Sequence, residues 1–180
     1  MRSLARPMGA LLAEAILAQA EGMPASLLVI PVPLFRRRRL YNQSHLLAHA
    51  AMRVVRRHHP HWKMELAPGR MKRVHHKESQ YRLSPDERRE NVRGAFRVRG
   101  AVRGRHVLLV DDVYTTGATV TECTEVLLAA GAESVRVVTL ARAGSQIPVL
   151  WTAPTAAIDS TMYESHNRFE NRFIHTRPAG

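Results

Sequence analysis

Val107-Leu108-Leu109-Val110-Asp111-Asp112-Val113-Tyr114-Thr115-Thr116-Gly117-Ala118-Thr119 joins four apolar residues, two adjacent acids, a threonine- and glycine-rich turn and the start of a helical pattern. A continuous apolar run of this kind is the signature of a strand covered on both faces in a parallel sheet. Such sheets bind ligands in the crevice beyond the carboxyl ends of their strands. The run 107–110 therefore delivers Asp111 and Asp112 to a binding crevice. Gly117 permits close approach of the backbone, Thr115, Thr116 and Thr119 offer hydroxyls, and a helix beginning near Ala118 leaves unpaired N–H groups that favour an anion. Two carboxylates beside an anion cradle suit a molecule with ribose hydroxyls and a phosphate. Asp-Asp alone reads equally well as a solvated loop before a capped helix; the strand–loop–helix order of the whole string favours the ligand site. Neither G-x-x-x-x-G-K-[ST] nor G-x-G-x-x-G occurs.

A second apolar run, 27–30, ends at Pro31, where sheet pairing should weaken. Helices are expected over 9–21, over 42 to about 58 with Leu46, Leu47, Ala50, Ala51, Val54 and Val55 on one stripe, and over about 118–130, stopped by Gly131. Phe96–Arg99 alternates like a short strand, and 135–140 reads as another. Strand, helix and strand across 107–140 make a βαβ unit. Residues 67–95 are rich in charge and poor in apolar side chains, which predicts a mobile excursion; 143–180 lack a clear period, which predicts a tail that is partly disordered or docked on a partner.

A chain of 180 residues with 45% hydrophobic content is expected to form one globular domain. With one cysteine, Cys123, it can form no intrachain disulfide and no thiolate zinc site. The 27 Lys+Arg against 15 Asp+Glu favour an anionic ligand or partner, nucleic acid or polyphosphate. Glu14 and Gln19 interrupt the apolar run after Arg2 and Arg6, so an amphipathic helix explains it better than a signal peptide. No segment suffices to span a membrane, and a cytoplasmic protein is expected.

The string 107–119 resembles the 5-phosphoribosyl-1-pyrophosphate (PRPP) motif of type I phosphoribosyltransferases. Pro31-Val32-Pro33-Leu34, the arginines after it and Tyr41-Asn42-Gln43 are similar to a segment of ComF/GntX-like proteins, as are Gln80, Leu83-Ser84, Arg88-Arg89, Asn91 and Gly94-Ala95-Phe96. Together these segments cover about residues 10–142. The resemblance implies an α/β fold of type I phosphoribosyltransferase kind: a mainly parallel twisted sheet flanked by helices. Residues 1–142 would form the domain, 67–95 its flexible loop region, and 143–180 a tail. ComF-like proteins commonly carry a zinc ribbon ahead of the first helix; this sequence holds no C-x-x-C, and a reduced hood is expected.

The resemblance also assigns roles. Asp111 and Asp112 would hold the ribose hydroxyls directly or through magnesium-bound water, and Thr115, Thr116, Gly117, Ala118 and Thr119 the 5′-phosphate. Val32, Arg38 and Arg39, within the segment carrying Arg36–Arg39, would face pyrophosphate; the other reading of that run is a solvated or nucleic-acid-binding patch. Arg73 and Lys77 are expected to neutralise departing pyrophosphate from the excursion. Asn42 is a plain helix cap that the resemblance raises to a pocket residue. His75 and His76, being adjacent, are read as loop residues. Mg2+ is the implied cofactor, PRPP or a related ribose phosphate the implied ligand, and a homodimer an open expectation. Transfer of phosphoribosyl to a nitrogen acceptor is the expected activity. The alternative is a non-catalytic nucleotide- or single-stranded-DNA-binding protein of competence and DNA uptake.

Overall fold

The computed structural model describes residues 5–34, 41–74, 92–142 and 149–153. Arg38, Arg39, Lys77, His75 and His76 lie outside the described residues.

The strands are β1 (Ser26–Pro31), β2 (Lys63–Leu66), β3 (Met71–Arg73), β4 (Phe96–Val98), β5 (His106–Tyr114), β6 (Ser134–Arg142) and β7 (Val149–Ala153). The helices are α1 (Ala5–Leu17), α2 (Gln43–His58) and α3 (Ala118–Ala129). Five strands form one sheet in the order β2-β1-β5-β6-β7, and β3 and β4 form an antiparallel pair. β2, β1, β5 and β6 run parallel, and β7 is antiparallel to β6. This is the mainly parallel α/β sheet that the apolar runs predict.

Strand alternation sorts the core into two layers. Leu27, Val29, Leu108, Val110, Val138 and Leu140 face α1 and α2, while Leu28, Ile30, Val107, Leu109, Val135 and Val137 face α3 and the β3–β4 pair. Both layers are needed because a parallel sheet is apolar on both faces. From β1 the chain runs through α2 to β2 on one side; from β5 it runs through α3 to β6 on the other. The strand order thus reverses between β1 and β5, which is where open α/β sheets form their ligand crevice.

Several boundaries differ from the sequence reading. α1 occupies Ala5–Leu17 rather than 9–21. β5 and β6 run on to Tyr114 and Arg142, because Asp111, Val113 and Tyr114 register with Thr139, Ala141 and Arg142. The acids therefore sit inside β5, beyond the point where β1 stops, and not at its last residue. Residues 71–73, read as part of a mobile excursion, pair with 96–98, and 149–153, read as part of an unpatterned tail, add an antiparallel edge strand.

Gly9 sets the spacing of α1 on α2. A Cβ there would collide with the Cβ of Ala50 and come within 3.1 Å of the Ala51 nitrogen. Alanine is the better helix former by about 1 kcal/mol, but overpacking against a backbone typically costs about 1–3 kcal/mol. Gly9→Ala is therefore expected to lower the urea unfolding free energy. A gain in stability would show that the two helices separate freely.

Candidate ribose-phosphate site at the sheet reversal

β1 pairs with β5 as far as Pro31 opposite Val110, and the Val32 N–H donates to the Val110 carbonyl at 2.8 Å. Beyond that bond β1 leaves the sheet while β5 continues, paired on its other side with β6 from Asp111 to Tyr114. Asn42 holds the departing chain: its side-chain amide donates to the Val32 carbonyl at 2.9 Å, and its Oδ1 accepts from the His45 N–H at 3.2 Å, capping α2. Val32, expected on the pyrophosphate side, is thus fixed by its N–H to β5 and by its carbonyl to the α2 cap.

Asp111 is buried, with 9% of its surface exposed. Its Oδ1 accepts two hydrogen bonds, from the Asp112 N–H at 2.9 Å and from the Ser44 hydroxyl at 3.1 Å. Burial raises its pKa from 3.8 to about 7, with the neighbouring Asp112 adding to the rise and the Asp112 N–H and Ser44 opposing it. Water is withdrawn from a carboxylate faster than two donors replace it. Asp112 is only partly buried, and its Oδ1 accepts from the Val113 N–H at 2.9 Å. The two acids therefore differ: one is buried and held, the other half-exposed.

Beyond the acids, Gly117 takes the left-handed conformation (φ 78°, ψ −9°) and occupies the N-cap position of α3. A Cβ there would collide with the Tyr114 hydroxyl and approach the ring carbon bearing it at 2.7 Å. Tyr114 therefore folds over the loop, and glycine is needed for both conformation and room. The Gly117 carbonyl accepts the helical N–H of Thr121 at 2.9 Å, and the α3 start has no side-chain cap beyond a 3.5 Å approach of the Ala118 N–H to Thr116 Oγ1. The backbone N–H groups of this first turn are the donors available to an anion.

Arg73 lies on β3, not on a free excursion. Its guanidinium is 5.5 Å from the centre of the Phe96 ring, and partial burial lowers its pKa. It belongs to the α3 side of the sheet, where Cys123 is enclosed. Burial pushes the Cys123 thiol well up; Asp111 and Glu122 push the same way and Arg73 opposes them. Glu122 also accepts the Gly94 N–H at 2.6 Å, tying α3 to the approach to β4.

The structure brings together Asp111, Asp112, Val32 and the loop 115–119. Ser44 was missed by the sequence reading. Nothing local marks a serine in the first turn of a helix as an acid's partner, and 67 residues separate it from Asp111. A shallow depression of about 370 Å³ lined by Glu65, Ala67, Gly69, Arg70, Arg99 and Gly100 includes none of these residues. Among the described residues, no helix is long and apolar enough to cross a membrane.

The phosphoribosyl transferase domain profile matches residues 62–170. "DNA utilization protein YhgH" of Escherichia coli O157:H7 is 41% identical over 117 residues, covering 63% of this chain and 48% of the relative. "Competence protein F" of Haemophilus influenzae is 39% identical over 121 residues, covering 64% and 50%. The chain thus spans about half the length of these curated relatives. The crystal structure of TT1426 from Thermus thermophilus aligns over 75% of this chain and 72% of its own, with 20% identity and a TM-score of 0.41. Since the profile spans more than half of the 180 residues, and the competence and DNA-utilization relatives are 39–41% identical over 63–64% of the chain, the chain belongs to the ComF-like type I phosphoribosyltransferase family.

Proposed function

We propose that the chain binds PRPP with magnesium and transfers its phosphoribosyl group to a nitrogen acceptor, releasing pyrophosphate. The observation that carries this reading is the convergence, at the reversal between β1 and β5, of two carboxylates and a glycine-opened helix start. A sugar phosphate needs both: acceptors for vicinal hydroxyls and donors for a dianion. In this reading Asp111 and Asp112 orient the ribose through its 2′ and 3′ hydroxyls. The N–H groups and hydroxyls of 115–119 hold the 5′-phosphate. Val32, Arg38 and Arg39 face the pyrophosphate, and Arg73 and Lys77 offset the charge it acquires on leaving.

The reaction forms a bond between the acceptor nitrogen and C1 of the ribose as the bond from C1 to the pyrophosphate oxygen breaks. Pyrophosphate departs with the electron pair, and the nitrogen loses a proton to Asp112 or to water. Charge builds on the ring and the leaving group, so positioning and electrostatics supply the acceleration. Two carboxylates on one strand suit Mg2+, which takes hard oxygen ligands and retains water and substrate oxygens. When bound, the ion would neutralise pyrophosphate charge.

The test is pyrophosphate release from PRPP with magnesium and a nitrogen nucleophile, ammonium being the simplest and nucleobases the next. Release should depend on the acceptor and stop when EDTA removes the metal. Release no faster than PRPP hydrolysis with every acceptor tried would refute transfer while leaving binding intact.

A second reading rests on a different observation. The relatives carry names tied to DNA use and competence, the net charge is +12, and Arg97, Arg99 and Arg103 are exposed along one short stretch. On that reading the chain binds single-stranded DNA without catalysis. Affinity for an oligonucleotide would then fall steeply with salt as counterions are released; an affinity insensitive to salt excludes it.

A further inference from the structure

Resting on the ribose-phosphate reading of this site, we propose that Ser44 is a positioning residue for PRPP: it commits one oxygen of Asp111 so that the other is presented to the ribose. Three observations carry it. Ser44 is 2% exposed, so its hydroxyl has no water to turn to, and it donates to Asp111 Oδ1 at 3.1 Å. The same oxygen accepts the Asp112 N–H at 2.9 Å. Two donors on one carboxylate oxygen fix the rotation of the group and direct ligand contacts to the other oxygen. Finally, Ser44 is itself held in place. Asn42 caps α2 at His45 and donates to the Val32 carbonyl, while Val32 bonds to β5 through Val110. The α2 start, the β1 exit and the β5 acid are thus tied together by three hydrogen bonds and the short backbone segments between them.

Outer partners of this kind orient a carboxylate; at metal-ligating carboxylates losing one typically costs about 10–100-fold in metal affinity or activity, and a loss at the low end of that range is expected for the sugar. The orientation concerns the sugar, so the effect should follow the ribose and not the anion. The experiment compares calorimetric affinities for magnesium PRPP and for magnesium pyrophosphate, which has no ribose, in wild type, Ser44→Ala and Ser44→Thr. Ser44→Ala should weaken PRPP by about tenfold and leave pyrophosphate within about twofold. Ser44→Thr, which keeps the hydroxyl, should recover most of the loss. Should the extra methyl prevent Ser44→Thr from folding, the ratio of the two affinities in Ser44→Ala decides alone. PRPP affinity equal to wild type in Ser44→Ala, or an equal loss for both ligands, overturns the proposal. Failure of wild type to bind PRPP at all would instead remove the ribose-phosphate reading, so the two failures are distinguishable.

Discussion

Asp111→Asn is expected to make the protein more stable than wild type at pH 8, and by a margin that vanishes in acid. The folded-state pKa of about 7 lies above the ordinary 3.8, so between those values the folded chain holds a proton that the unfolded chain has released. Stability from this group is complete below about pH 4, falls as pH rises through the window, and is lost above about 7. A carboxyl moved over that interval corresponds to about 4 kcal/mol. Asparagine keeps an oxygen for Ser44 and the Asp112 N–H but never ionises. The difference in unfolding free energy between variant and wild type should therefore grow from near zero at pH 4 to about 2–4 kcal/mol at pH 8. Urea titrations at several pH values measure it. A difference that does not change with pH would mean that Asp111 titrates as an exposed carboxyl does. The cost of burying this acid is the kind a fold retains when the charge serves a ligand.

The second large effect is expected at the loop. Gly117→Ala places a side chain in the left-handed region and drives its Cβ into the Tyr114 ring. The conformation alone costs about 1 kcal/mol or somewhat more, and the collision adds overpacking of about 1–3 kcal/mol. In a Tyr114→Ala background the collision disappears and the conformational part remains. The double-mutant cycle should thus show a coupling of about 1–3 kcal/mol in stability. On the proposed function, Gly117→Ala also weakens PRPP by more than about tenfold, since the loop's N–H groups lose their alignment on the phosphate. Strict additivity of the two substitutions would mean that Tyr114 does not pack over the loop.

The parts of this molecule that were legible in its sequence are those where one physical pressure acts on neighbouring residues. The runs 27–30 and 107–110 are buried on both faces and show it directly. The loop at 115–119 and the α3 start follow from turn chemistry, and Gly131, at φ 91°, ends α3 as expected. What escaped depends on partners distant in the chain. β5 continues past its apolar run because β6 lies beside it, and Asp111 is strand only by virtue of Thr139. β7 has its place through pairing with β6. Arg73 reads as a loop cation until the pairing of β3 with β4 places it against Phe96. Within the candidate site the acids and loop were visible as a motif, whereas the contact from Ser44 required two helix–strand junctions to be in place.

Calorimetric titration of wild type with PRPP in the presence of magnesium tests the central claim most directly. Saturable binding of one PRPP per chain is the expected result, with the Asp111→Ala, Asp112→Ala double variant weakened by at least about 100-fold, the loss of about 3 kcal/mol of interaction. No saturable binding by folded wild type, or undiminished binding by the folded double variant, would contradict it.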